Sequence, residues 1–175
     1  MIYTFIPYSP DLKKYNLGAM YNKFMRLLPN DDDWACLIDH DVMFTRKNWY
    51  HQLMDIIKKH PDYGCLTGRT NRIGCSWQKV RELENSNNIE EHKRLGKELQ
   101  DKFWDEVEDR TNDMLMSGFL MLVKKSVWKE VPFREVYERD GMAGVDNHFH
   151  EDLKNKGYKI GLMKGVYLYH WYGKE

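Results

Sequence analysis

Asp39-His40-Asp41 closes the apolar run Trp34-Ala35-Cys36-Leu37-Ile38, so two carboxylates one residue apart stand where a short buried strand would end. Such a pair can share one divalent cation, directly or through water, and a hard cation such as Mg²⁺ or Mn²⁺ would in turn hold a phosphate-bearing substrate. Val42-Met43-Phe44 follows at once, so the acidic step lies between apolar stretches and not in a solvated charge run. An ordinary polar strand end or turn accounts for the same residues equally well. His170, between Tyr169 and Trp171, is the imidazole that would complete a cation site, although a lone histidine there also serves as a hydrogen-bonded packing residue. Asp146 begins a helical stretch behind the glycine-flanked Gly141-Met142-Ala143-Gly144, where a carboxylate either caps the helix or acts on a substrate. Glu151 and Asp152 lie further along that helix. Asn16-Leu17-Gly18-Ala19-Met20-Tyr21-Asn22 sets two asparagines and a glycine at another helix start, close enough to approach a nucleotide, with capping as the alternative.

These groups need a scaffold, and the pattern supplies one. Ile2–Ile6 reads as a first strand ended by Pro7, with a turn through Pro7-Tyr8-Ser9-Pro10. Leu17, Met20, Tyr21, Phe24, Met25 and Leu28 follow helical spacing. Residues 47–60 form a second amphipathic helix closed by Pro61, and Tyr63–Thr67 a third strand ending in the polar Gly68-Arg69-Thr70-Asn71-Arg72. From about 79 to 110 the chain is charged, and the stripe Leu95, Leu99, Phe103, Val107 predicts one long or two shorter surface helices, broken at Asn85-Ser86-Asn87-Asn88. This region reads as a helical insertion. Met114–Val123 predicts a central strand with Gly118 inside it, marking a bulge or a close approach. A short helix over Ser126–Val131, a helix over Gly144–Lys156, and a final pair of strands through Tyr158–Leu162 and Val166–Tyr169 complete the chain. Alternating strands and helices predict an α/β fold: one domain over residues 1–175, a mixed sheet flanked by helices.

Composition narrows the function classes. With 42% apolar and 14% aromatic residues the chain is built to fold. Lys+Arg and Asp+Glu are both 27, which leaves no bulk attraction to nucleic acid or an anionic membrane surface. Three cysteines, Cys36, Cys65 and Cys75, lack CxxC or finger spacing, so neither zinc nor a disulfide framework is expected. Free thiols fit a reducing, cytoplasmic setting, with Cys36 and Cys65 as small core residues. Met1–Ile6 lacks a basic leader and no apolar stretch approaches a membrane span, so a soluble protein is expected.

Pro7-Tyr8-Ser9, then Asn16-x-Gly18-x-x-x-Asn22, then an apolar strand into Asp39-x-Asp41, resembles the nucleotide-binding half of GT-A glycosyltransferases, family 2 in particular. Ser117-Gly118-Phe119-Leu120-Met121-Leu122-Val123-Lys124-Lys125 with Val127-Trp128 is similar to that family's strand below the sugar site. Gly144-Val145-Asp146-Asn147-His148-Phe149 trailed by Lys156-Gly157-Tyr158 resembles its catalytic helix and following strand, with Val145 where glutamate is usual. Val166-Tyr167-Leu168-Tyr169-His170 resembles its terminal strand.

The resemblance implies a GT-A-like (Rossmann-like) fold and a metal-dependent inverting transfer of a sugar from a UDP- or GDP-sugar to a glycan or other hydroxyl acceptor. It implies Mn²⁺ or Mg²⁺ on Asp39, Asp41 and His170, with Asp39 also near the ribose and Asp146 as the base. Donor contacts would come from Pro7, Tyr8, Asn16, Gly18, Asn22, Asp39 and Gly118. Arg69 and Arg72 would reach phosphates or stay on the surface; Trp77, Trp171 and Tyr172 would stack on an acceptor sugar or pack. Only about ten residues separate Pro7 from Asn16, where family members carry two more strands and helices, so the base-gripping part is short. Its contacts could come from a partner, a homo-oligomer included. Two rivals fit the same residues: a non-catalytic nucleotide-sugar or glycan-binding module, and a haloacid-dehalogenase-like phosphatase using Leu37-Ile38-Asp39-His40-Asp41-Val42.

Overall fold

Strand β2 (Trp34–Ile38) is apolar at nearly every position because both of its faces are covered. Ala35 and Leu37 enter one core layer and Trp34 and Cys36 the other, following the two-residue period of a strand. Strand β6 (Leu120–Lys124) divides in the same way, with Met121 and Val123 on one side and Leu120 and Leu122 on the other. In this computed structural model residues 1–8, 16–114, 116–135 and 144–171 are described. Ser9, Pro10, the Gly141-Met142-Ala143 part of the glycine loop, Leu115 and Tyr172 lie outside them.

The remaining strands are β1 (Ile2–Phe5), β3 (Val42–Phe44), β4 (Tyr63–Thr70), β5 (Val107–Asp109) and β7 (Lys159–His170). They form one mixed sheet in the order β1-β2-β6-β4-β7-β3, with β5 also paired to β7. β1 and β2 are parallel, β4 and β7 are parallel, and β6 joins the two pairs by running antiparallel to both β2 and β4. The carboxyl ends of β1, β2, β4 and β7 therefore share one edge. In open α/β sheets that edge is where ligands bind.

Helices α1 (Leu17–Met25), α4 (Lys125–Glu130) and α5 (Val145–Asn155) cover one face, around Tyr21, Met25, Trp128, Phe149 and Leu153. Helix α2 (Trp49–Lys59) covers the other with Leu53 and Ile56. Helix α3 (Ile89–Phe103) carries the charged insertion, preceded by a 3-10 turn at Arg81–Leu83. Its outer face holds the Lys93–Glu90 and Lys97–Asp101 pairs, while Leu95 and buried His92 face Tyr167. Gly96 lets the helix reach the sheet: a Cβ there would lie 2.0 Å from Thr45 Oγ1. Among the described residues no helix is long and apolar enough to cross a membrane.

Four expectations are corrected. β7 is one continuous strand and not a pair; Gly165, which suggests a turn, instead admits the Phe103 carbonyl, 2.4 Å from where a Cβ would sit. β4 runs on through Gly68, Arg69 and Thr70, because β7 continues beside it as a partner. Val107 leaves the helical stripe and enters β5. Gly118 precedes β6 and is not inside it.

Candidate metal centre

Asp39 follows the last residue of β2, and its backbone N–H donates to Phe119 O at 3.1 Å. Asp41 lies in the tight step from β2 to β3, and its carbonyl accepts the Trp171 N–H at 2.9 Å. His170 ends β7, paired in register with Val42. Topology thus brings three residues from distant parts of the chain to the carboxyl edge. One ligand atom from each of Asp39, Asp41 and His170 lies within 4.8 Å of the others. Ligands about 2.1 Å from a shared ion stand at most about 4.2 Å apart, so small side-chain rotations would close the set. His170 Nε2 already approaches Asp41 Oδ2 at 3.2 Å. His170 is buried, whereas both carboxylates keep partial exposure, which leaves room for further ligands. Two carboxylate oxygens and one imidazole suit a divalent cation, and Asp39, Asp41 and His170 would hold it.

The electrostatics favour a cation. Burial pushes the Asp39 carboxyl above its ordinary range; the nearby His170 opposes this, and the charges of Asp41 and Asp146 add to it. An anionic corner of this kind gains most when a positive charge is bound.

Asp146 stands at the first turn of α5 with both oxygens engaged. Oδ2 accepts the Gly118 N–H at 2.7 Å, and Oδ1 accepts its neighbour's N–H, that of Asn147, at 2.9 Å. Burial nevertheless raises its pKa, outweighing these donors. Gly118 makes the contact feasible, since a Cβ there would lie 3.0 Å from Asp146 Cβ. Buried Tyr21 has its hydroxyl pKa raised by burial first and then by the charges of Asp39 and Asp146, which locates it near both.

The remaining sequence candidates divide. Pro7 and Tyr8 follow β1 at the same edge, Tyr8 being largely exposed. Asn16 caps α1 by accepting the Ala19 N–H at 2.8 Å, and its buried Nδ2 has no protein partner. Gly18 packs on the Arg134 carbonyl, 2.0 Å from where a Cβ would be. The Asn22 amide is spent on the fold: it donates to Phe133 O and Glu135 Oε1, and accepts from Trp128 Nε1 and Phe133 N. Arg69 is partly buried towards Glu108 and Arg110, and one face of Trp77 is met by the Arg110 guanidinium at 5.6 Å. Arg134 ties Asp152 to the surface.

Two supporting residues escape sequence reading. Asn71 grips the His170 backbone from both sides, accepting its N–H at 2.8 Å and donating to its carbonyl at 3.3 Å. Gln78 accepts the Ser117 N–H at 2.7 Å and donates to Ser117 O and Thr67 Oγ1, which fixes the segment entering Gly118. Both sit in polar stretches where nothing in the local pattern marks them. The sequence matches no family model, and no curated protein is similar enough to count as a relative.

Proposed function

We propose that this α/β domain is a GT-A-like, metal-dependent inverting glycosyltransferase that moves a sugar from a nucleoside-diphosphate sugar to a hydroxyl acceptor. One observation carries the reading: Asp39, Asp41 and His170 converge at the carboxyl edge of the sheet, with Asp146 close enough to raise the Asp39 pKa by its charge. A bound Mn²⁺ or Mg²⁺ would supply the positive charge that a departing diphosphate requires. Asp39, Asp41 and His170 would hold that ion. The donor enters along the edge formed by Pro7, Tyr8 and Asp39, with Gly118 below the sugar. Asn16 and Asn22, both buried, hold α1 behind that edge together with Gly18.

Asp146 is the base. The acceptor oxygen forms a bond to the anomeric carbon as the bond to the diphosphate oxygen breaks, and the acceptor proton passes to Asp146. A carboxylate whose pKa is raised by burial is a stronger base than an ordinary one. Its two backbone hydrogen bonds hold the orientation. The test is a panel of UDP- and GDP-sugars with Mn²⁺ or Mg²⁺ and simple hydroxyl acceptors. Cation-dependent transfer or donor hydrolysis, lost in Asp41→Ala and Asp146→Asn, supports the reading. Nucleotide binding without turnover on any donor would replace it with a binding module, and phosphate release from phosphomonoesters lost in Asp39→Asn would replace it with a phosphatase.

A further inference from the structure

A cleft of about 570 Å³ opens next to the acidic corner, between the carboxyl ends of β4 and β7 and the start of the insertion. Two of its lining residues adjoin the cluster along the chain. Trp171 directly follows His170 and is fastened to the Asp41 carbonyl, and Arg72 directly follows the Asn71 that grips His170. The chemistry of the lining is specific. The Arg72 Nε donates to the Glu84 carbonyl at 2.7 Å, which fixes the guanidinium plane, and its two terminal nitrogens meet no protein acceptor among the described residues. Lys79 is paired with Glu84 at 2.9 Å and Arg72 also lies within reach of that carboxylate's field, so two cations share one carboxylate and the cleft keeps a net positive charge. Asn85 and Asn87 add exposed carboxamides from the asparagine-rich break before α3. Trp171 presents an indole that is 55% exposed.

A fixed guanidinium with a free two-nitrogen edge is suited to a carboxylate or phosphate. Carboxamides suit sugar hydroxyls, and an exposed indole suits the C–H face of a pyranose ring. Resting on the glycosyl-transfer reading, we propose that this cleft holds the acceptor as an acidic carbohydrate, its ring on Trp171 and its anionic group on Arg72. The insertion is then the part of the chain that selects the acceptor, through Glu84, Asn85 and Asn87.

The test is binding by calorimetry, with no donor present, of three probes: a glucuronate-terminated disaccharide, its glucose-terminated counterpart and glucose 6-phosphate. At least one acidic probe is expected to bind about tenfold or more tightly than the neutral disaccharide. Comparison of the two acidic probes shows whether the carboxylate or the phosphate is the natural group. Arg72→Gln should bring the acidic probes to the neutral level while leaving Mn²⁺ binding unchanged, and Trp171→Ala, at an exposed position, should weaken all three. Equal binding of acidic and neutral probes, no binding of any, or indifference to Arg72→Gln overturns the proposal. Charge-selective binding without transfer from any donor would overturn the transferase reading while leaving an acidic-carbohydrate cleft. Transfer to neutral acceptors regardless of Arg72 would overturn the cleft assignment alone.

Discussion

Two buried polar corners of this molecule treat their side chains in opposite ways. At Asn22 every hydrogen-bonding capacity of the amide is met, by Phe133, Glu135 and Trp128, and the amide itself carries no charge. At Asp39, carboxylates are gathered towards one another until burial and mutual charge push Asp39 above its ordinary pKa. The fold is evidently able to satisfy a buried polar group when that group serves packing. The acidic corner is held in place just as firmly, by the Asn71 grip on His170, yet its charge is left to be balanced from outside. That contrast separates a structural polar site from one arranged for a cation.

The comparison can be tested by disturbing each corner. The largest effect is expected from Asp146→Asn, which keeps an acceptor for the Gly118 N–H but removes the proposed base. Transfer measured by product formation should fall about 10²–10⁴-fold, with melting temperature maintained. Asn22→Ala should act in the opposite sense. It strands the Trp128 and Phe133 donors, so chemical denaturation should show a loss of about 2–4 kcal/mol, with cation affinity per folded molecule unchanged. Asn71→Ala lies between the two corners in character: by releasing the His170 backbone it should weaken Mn²⁺ binding about tenfold, read by titration.

The smallest effect concerns pH. Asp39 and Asp146 both have folded-state pKa values raised above the unfolded ones. The folded protein therefore holds their protons at a pH where the unfolded chain has released them. Their contribution to stability is present below the ordinary carboxylate range and is lost as pH rises through the raised values. Cation-free protein carrying both Asp39→Asn and Asp146→Asn should thus gain stability over the parent at neutral pH and little at acid pH, by thermal melting. Transfer should run the other way, falling as pH drops through the raised Asp146 value.

The acidic pair was legible in the sequence because the change from Ile38 to Asp39 is local: an apolar strand that ends in carboxylates. The helices were legible for a similar reason, since Leu17, Met20, Tyr21, Phe24 and Met25, or Trp49, Leu53, Ile56 and Ile57, recur at helical spacing over two turns or more. β3 and β5 were not, because three residues are too few to show a period. β7 reads from sequence as two strands, Tyr158–Leu162 and Val166–Tyr169, because the close approach of Phe103 at Gly165 between them is visible only in the folded chain. His170 was legible as a ligand type near a strand end and through resemblance to a family pattern, although no local signal ties it to Asp41. Asn71 and Gln78 carry no local signal at all: their value lies in backbone groups of residues far away in the chain, which only the folded sheet brings near.

Asp39, Asp41 and His170 are proposed to form one cation site. The most direct measurement is titration of Mn²⁺ into the protein, followed by loss of the free ion's paramagnetic resonance signal, with Asp41→Ala and His170→Ala alongside. One Mn²⁺ per chain should be bound, and each substitution should weaken it about tenfold or more while the fold persists. Absence of stoichiometric binding, or binding unchanged in both variants, would contradict the account.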